Sequence, residues 1–91
     1  MAQRSPGGTP QGGESDSRDL PTIFGEQLRA ARLSVRLSQA GLGARLGLTQ
    51  QYISSVEAGH ENLTLTTMLA LARAIGYELI VELRRARRPR K

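Results

Sequence analysis

Residues 38–59, SQAGLGARLGLTQQYISSVEAG, decide how this chain of 91 residues folds. Ser38 and Thr49 each stand where a helix N-cap is expected, because a hydroxyl there accepts a hydrogen bond from an exposed backbone N–H. Gly47 suits the left-handed conformation that ends a helix and turns the chain. The stretch therefore predicts two short helices joined by a tight turn, with the second helix over residues 50–58.

The second of these helices has a narrow apolar edge and a polar outer face. Ile53 and Val56 are three residues apart and predict the edge that packs on the core. The other side carries amides and hydroxyls, which donate and accept hydrogen bonds at a geometry that suits base edges in the DNA major groove. We predict contacts with base edges for Gln50, Gln51 and Ser55.

The quoted stretch resembles the helix-turn-helix of the phage-repressor-like DNA-binding proteins, the XRE or Cro/C1-type family. The matching residues are Ser38–Gln39, Gly47, Thr49–Gln50–Gln51, Ile53, Glu57 and Gly59. The resemblance implies an all-α, four-helix DNA-binding domain over residues 22–76. The alternative is an all-helical domain in which this hairpin serves packing alone, because such hairpins also exist without a DNA-binding function.

The resemblance also implies roles for individual residues. In relatives, an arginine at the position of Arg32 pairs with the glutamate at Glu57 and ties the first helix to the third; the alternative is an ordinary exposed arginine. Many relatives have glycine where Arg36 stands, so either the turn is made differently or Arg36 adopts an unusual backbone conformation. Phosphate or flanking DNA contacts are expected of Gln39, Thr49, Tyr52, Ser54, His60 and Asn62.

Amphipathic patterns predict one helix on each side of this pair. The first runs from Thr22, as its cap, to about Ser34. The other is capped by Thr64 and runs from Leu65 to Ile75. Both apolar stripes are expected to close the core of the domain.

Residues 77–83, YELIVEL, change from a helical to an alternating period, which predicts a β-strand. The apolar residues on one side are Tyr77, Leu79, Val81 and Leu83. A lone strand leaves its backbone groups unpaired, so the same strand from a second subunit is the economical partner and predicts a two-fold homodimer. The alternatives are a helical extension or a strand packed without pairing.

Residues 62–83 further resemble the antitoxin repressors of the HipB type. Those proteins pair a C-terminal strand across a dimer and bind a kinase-like toxin, so the resemblance implies a toxin–antitoxin role. Two alternatives stay open: a free-standing repressor with no toxin partner, and a helical protein-interaction module without specific DNA binding.

Composition argues against several classes of function. The chain has no cysteine, one histidine, no glycine-rich phosphate loop before a helix and no paired carboxylates in an evident cleft. We therefore expect no enzyme, no metal site and no cofactor. No apolar run is long enough to span a bilayer and no signal peptide is apparent, so we expect a cytoplasmic protein without a membrane partner.

The charge of +5 is concentrated in one terminal segment. Residues 22–83 are neutral overall, residues 1–21 carry −1 and residues 84–91 carry +6. The first segment is rich in Gly, Pro and Ser and predicts a disordered tail. The last predicts a basic tail that favours polyanions through counterion release, although an acidic partner or a merely solvated end stays open.

Together these patterns predict a dimeric, sequence-specific transcriptional repressor. Its two recognition helices would enter successive major grooves about 34 Å apart on double-stranded DNA with an inverted repeat. By occupying a promoter, its own included, it would block the polymerase.

Overall fold

The computed structural model describes residues 19–86, which form four helices. These are α1 (Leu20–Ser34), α2 (Gln39–Leu46), α3 (Gln50–Glu57) and α4 (Leu65–Ala74). Most of the predicted disordered tail, residues 1–18, and most of the basic tail, residues 87–91, lie outside the described residues. None of the described helices combines the length and the apolar character needed to cross a membrane.

Helix α1 begins two residues before its predicted cap. Asp19 is the N-cap, and its Oδ1 accepts a hydrogen bond from the Thr22 N–H at 3.2 Å. Pro21 fits the first turn because its missing N–H would have no partner within the helix. Hydrogen bonding to Thr22 lowers the pKa of the Asp19 carboxyl below its usual value. The stabilisation from this cap is therefore present above the unfolded-state pKa and is lost as the pH falls through the folded-state pKa.

The two short helices form where the caps and the turn predicted them. Ser38 Oγ accepts from the Gly41 N–H at 2.9 Å, and Thr49 Oγ1 accepts from the Tyr52 N–H at 3.0 Å. Gly47 ends α2 with φ of 70° and ψ of 30°, the left-handed conformation that glycine adopts without steric cost. The N-cap and C-cap residues thus fix how α2 turns into α3.

All four helices contribute side chains to one core. The buried apolar residues are Leu28 from α1, Leu42 from α2, Ile53 and Val56 from α3, Leu71 and Ala72 from α4, and Ile75 after it. Helices α1 and α3 also meet main chain to main chain at Gly25. A Cβ atom there would lie 2.5 Å from the Val56 carbonyl oxygen and 2.7 Å from that of Glu57, so only glycine fits. Helix α3 is therefore held from behind by apolar packing and by backbone contact.

The strand predicted over residues 77–83 is not confirmed, because no β-strand occurs between residues 19 and 86. The Tyr77 N–H instead donates to the Ala72 carbonyl at 2.9 Å, and the Tyr77 hydroxyl lies 2.7 Å from Ser34 Oγ on α1. A strand needs a backbone partner along its length, and the described part of the chain supplies none beside this segment. Of the four predicted strand side chains, Leu79 is half-buried, and the exposed ones are Tyr77, Val81 and Leu83.

The turn between α1 and α2 contains Arg36 at φ of 60°, a left-handed conformation that disfavours any residue with a Cβ atom. We expect Arg36→Gly to raise the free energy of unfolding by about 1 kcal/mol, since relief of strain outweighs the greater flexibility of glycine in the unfolded chain. Chemical denaturation measures the change. The matched control is Arg29→Gly at an exposed position within α1, which should lower the same free energy by about 1 kcal/mol. Equal changes in the two variants would contradict the strain at Arg36.

Candidate nucleic-acid interface

The start of α3 presents its polar side chains to solvent. Gln50, Gln51 and Ser54 are exposed, whereas Ile53 and Val56 on the opposite side are buried. This division follows from the helical period, because the apolar residues are three apart and share one edge. The outer surface of α3 is thus free to meet a ligand while its inner edge holds the helix in place.

Behind α3 lies a buried ion pair. Arg32 Nε donates to Glu57 Oε2 at 2.6 Å and Nη2 donates to Oε1 at 3.0 Å, and the two side chains are only 7% and 3% exposed. Arg32 Nη1 also donates to the Leu37 carbonyl at 2.7 Å, which ties the turn before α2 to the same group. The hydrogen bonds from Arg32 to Glu57 hold the pKa of Arg32 above its usual value. The guanidinium therefore stays protonated, and the ion pair stays formed, at every pH at which proteins are ordinarily folded.

A row of amides connects this ion pair to the exposed face. Gln39 Nε2 donates to Glu57 Oε1 at 3.1 Å, and Gln50 Nε2 donates to Gln39 Oε1 at 3.3 Å. A carboxylate paired with an arginine only accepts hydrogen bonds, so Gln39 must turn its NH₂ group toward Glu57 and its oxygen toward Gln50. Gln50 is then left with its own carbonyl oxygen and one N–H for a ligand. The buried carboxylate thus sets which way an exposed amide points.

Gln51 and Ser55 differ from Gln50 in how they are held. Within residues 19–86, the Gln51 side chain makes no hydrogen bond with another group, so its amide is free to rotate. Ser55 is half-buried, and its hydroxyl donates to Glu61 Oε2 at 2.9 Å. The single hydroxyl hydrogen of Ser55 is therefore in use, and a carboxylate stands beside it that accepts from amino groups and repels phosphate. Sequence reasoning does not pair Ser55 with Glu61, because six residues separate them across the end of α3.

Some of the residues predicted to make phosphate or flanking contacts are half-buried, and the others are exposed. Gln39 is half-buried and keeps one N–H free for a phosphate, while Thr49 accepts the cap hydrogen bond and keeps its own hydroxyl hydrogen. Tyr52 is half-buried against the core. The exposed members are Thr49, Ser54, His60 and Asn62.

Helix α3 carries no basic side chain. The only basic side chain on α2 makes a hydrogen bond with the end of α4. Arg45 Nη1 donates to the Ala74 carbonyl at the end of α4, 2.7 Å away. Among residues 19–86 no group of His, Asp or Glu side chains is arranged to hold a metal ion. The chemistry of this face is therefore hydrogen bonding by neutral amides and hydroxyls, which is suited to reading bases.

Two short helices around a tight turn, with amides on the outside of the second, define a helix-turn-helix domain. The sequence profile of the family described as helix-turn-helix matches residues 28–81. The chain belongs to this family, in its XRE or Cro/C1-type branch.

Several known proteins are similar to this chain. The uncharacterized HTH-type transcriptional regulator y4dL of Sinorhizobium fredii is 43% identical over 56 residues, which is 62% of this chain and 29% of that protein. The chain thus spans less than a third of that relative. Control protein C.SmaI of Serratia marcescens is 40% identical over 63% of this chain and 68% of its own length. The crystal structure of the restriction-modification controller protein C.AhdI from Aeromonas hydrophila superposes with a TM-score of 0.60 at 38% identity, covering 64% of this chain and 84% of that one.

Proposed function

We propose that this protein is a sequence-specific DNA-binding transcriptional regulator that acts by occupying a promoter. The observation that carries the proposal is the exposed pair Gln50 and Gln51 at the start of α3, with Gln50 oriented through Gln39 by the buried Glu57. An amide in a fixed orientation distinguishes a base that offers a donor from one that offers an acceptor. Base contacts by Ser55 would use its oxygen, and the phosphate contacts proposed above would come from the flanking residues.

Two specialised roles compete within this proposal. C.SmaI and C.AhdI are named control or controller proteins, which favours a regulator of that kind for this chain. The antitoxin role rests on the similarity of residues 62–83 to HipB-type repressors, and we rank it second. Co-purification with a kinase-like toxin encoded by a neighbouring gene would reverse that order.

The protein is proposed to act as a homodimer through residues 77–83. Ile80, Val81 and Leu83 are 77%, 65% and 97% exposed, which is a costly arrangement for neighbouring apolar side chains in water. A groove of about 230 Å³ lies next to these side chains. It is lined by residues 77–80, by α1 and by the end of α4, and it includes Phe24 and Ile75. Apolar side chains next to an apolar groove on the same surface suit a two-fold, self-complementary contact.

Removal of residues 77–91 is expected to weaken dimerisation, because it deletes the exposed apolar segment. Sedimentation over a range of concentrations measures the effect, and circular dichroism checks that the four helices remain. The matched control removes only residues 84–91, which should leave dimerisation unchanged because that tail is basic rather than apolar. A fully dimeric protein that lacks residues 77–91 would rule out this interface.

Selection of bound sequences from random duplex DNA tests the function itself. At about 150 mM salt, non-specific attraction to the basic tail is weakened, so enriched sequences report base reading. We expect a palindrome, which would give both the specificity and the symmetry of the complex. No enrichment at all would favour a helical protein-interaction module without specific DNA binding.

A further inference from the structure

The turn before α2 holds Arg36 in a backbone conformation that residues with a Cβ atom rarely adopt. Four described residues have a positive φ: three are glycines, and the fourth is Arg36. Each glycine adopts this region at little cost, whereas a residue with a Cβ atom is strained there. Strained residues of this kind cluster at functional sites, so the strain at Arg36 motivates a search for a function of its side chain.

Contacts within the described chain do not account for the arginine. Its backbone N–H donates to the Leu33 carbonyl at 3.0 Å, but its guanidinium has no hydrogen-bond or ion-pair partner among residues 19–86. By contrast, Arg32 is paired with Glu57, and Arg45 donates to the Ala74 carbonyl. The Arg36 side chain is exposed, so its five N–H donors are available to an external ligand.

The position of Arg36 indicates which ligand. It precedes Leu37, whose carbonyl accepts from Arg32, and it lies three residues before Gln39 in the amide row that leads to Gln50. The polar face of α3 offers no positive charge of its own. Along the chain, Arg36 is the arginine nearest to that face whose guanidinium makes no hydrogen bond or ion pair within residues 19–86, which makes it the candidate cation for a polyanion docked there.

We propose that Arg36 binds a phosphate of the DNA backbone next to the bases read by α3. This inference rests on the proposed function and adds a contact that positions the protein without carrying sequence information. A guanidinium suits the task because its planar fork matches two phosphate oxygens. The strained backbone at this turn is then retained for the sake of a contact outside the protein.

Three substitutions of Arg36 in the 91-residue chain distinguish the effect of its charge from the effect of its strained backbone. Arg36→Gly removes both, Arg36→Asn removes the charge with a residue that tolerates the left-handed region, and Arg36→Lys keeps the charge and the strain. Affinity for the selected operator and for an unrelated duplex is measured over a series of salt concentrations. The control is Arg29→Gln, at an exposed arginine of α1 that lies outside the proposed dimer segment.

The expected result is a similar loss of affinity for both duplexes in the Gly and Asn variants. The slope of log K against log salt should fall by about 0.9 for each phosphate that the variant no longer neutralises. Arg36→Lys should keep the slope, and Arg36→Gly should bind more weakly although its folded state is more stable. A merely structural arginine would not produce opposite changes in stability and binding.

Other outcomes would overturn the assignment. Unchanged affinity and slope in the Gly and Asn variants would remove Arg36 from the interface, and a loss confined to the operator would make it a reader of bases. An equal loss in Arg29→Gln would show that the effect comes from the net charge of the protein rather than from a contact at Arg36. If the wild-type protein preferred no sequence, the proposed function would fail, while the salt slope on unrelated DNA would still decide the role of Arg36.

Discussion

Glu57→Ala is expected to lower the free energy of unfolding by about 3–5 kcal/mol. The substitution leaves the Arg32 guanidinium 7% exposed, with two of its hydrogen bonds unmade and no opposing charge. The free energy of unfolding of a single domain is about 5–15 kcal/mol, so the substitution would remove a large share of its stability. Thermal and chemical denaturation of the wild-type and variant proteins measure the change.

The double substitution Arg32→Met with Glu57→Leu is the matched control. Replacing both partners with apolar side chains removes the stranded charge, so stability should return to within about 1–2 kcal/mol of the wild type or exceed it. A single Glu57→Ala variant as stable as the wild-type protein would show that the pair is not buried in solution. The double variant also lacks the carboxylate that orients Gln39. It is therefore expected to fold stably without the hydrogen bonds that orient Gln50, so that the effect of this orientation on binding can be measured separately.

Gln50→Ala and Gln51→Ala are expected to weaken binding to the selected operator by about 1–3 kcal/mol for each half-site. For each half-site this corresponds to about 5- to 150-fold in affinity, since about 1.4 kcal/mol is tenfold, and the factors of the two half-sites multiply. Both side chains are exposed and lie away from the core, so the fold should be unaffected. Binding to an unrelated duplex should hardly change, because neutral amides contribute little to the attraction for phosphate.

Thr66→Ala is the control for these two variants. Thr66 is exposed on α4, and its replacement removes a polar surface group without touching α3. We expect its affinity for both duplexes to match that of the wild-type protein. Equal losses on operator and unrelated DNA in the glutamine variants would contradict base reading by Gln50 and Gln51.

Local sequence signals predicted the centre of the fold well. The hydroxyls of Ser38 and Thr49 and the glycine at position 47 act within a few residues of themselves, so their roles can be read from short spacing. The predicted start of α1 is wrong by two residues because Asp19, and not Thr22, is the N-cap. Short-range patterns thus predict that a helix forms but do not determine the residue at which it begins.

Contacts between residues that are far apart in the sequence could not be predicted from it. Nothing in the spacing of Glu57, Gln39 and Gln50 indicates that one carboxylate orients two amides in turn, because 18 residues separate the first two. The alternation in residues 77–83 predicted a strand, yet a strand depends on a partner that lies elsewhere in space. The resemblance to known repressors pointed to Arg32 and Glu57, but only the folded chain gave their distances and burial.

The main-chain contact at Gly25 bears on how such proteins diversify. Backbone atoms of α1 and apolar side chains facing the interior set the tilt of α3, and neither involves positions 51 and 54 on its solvent side. Substitutions at those positions can therefore alter the proposed DNA contacts while the scaffold stays the same. Position 25 has no such freedom, since a Cβ atom there would collide with the Val56 and Glu57 carbonyl oxygens and displace the end of α3 from α1.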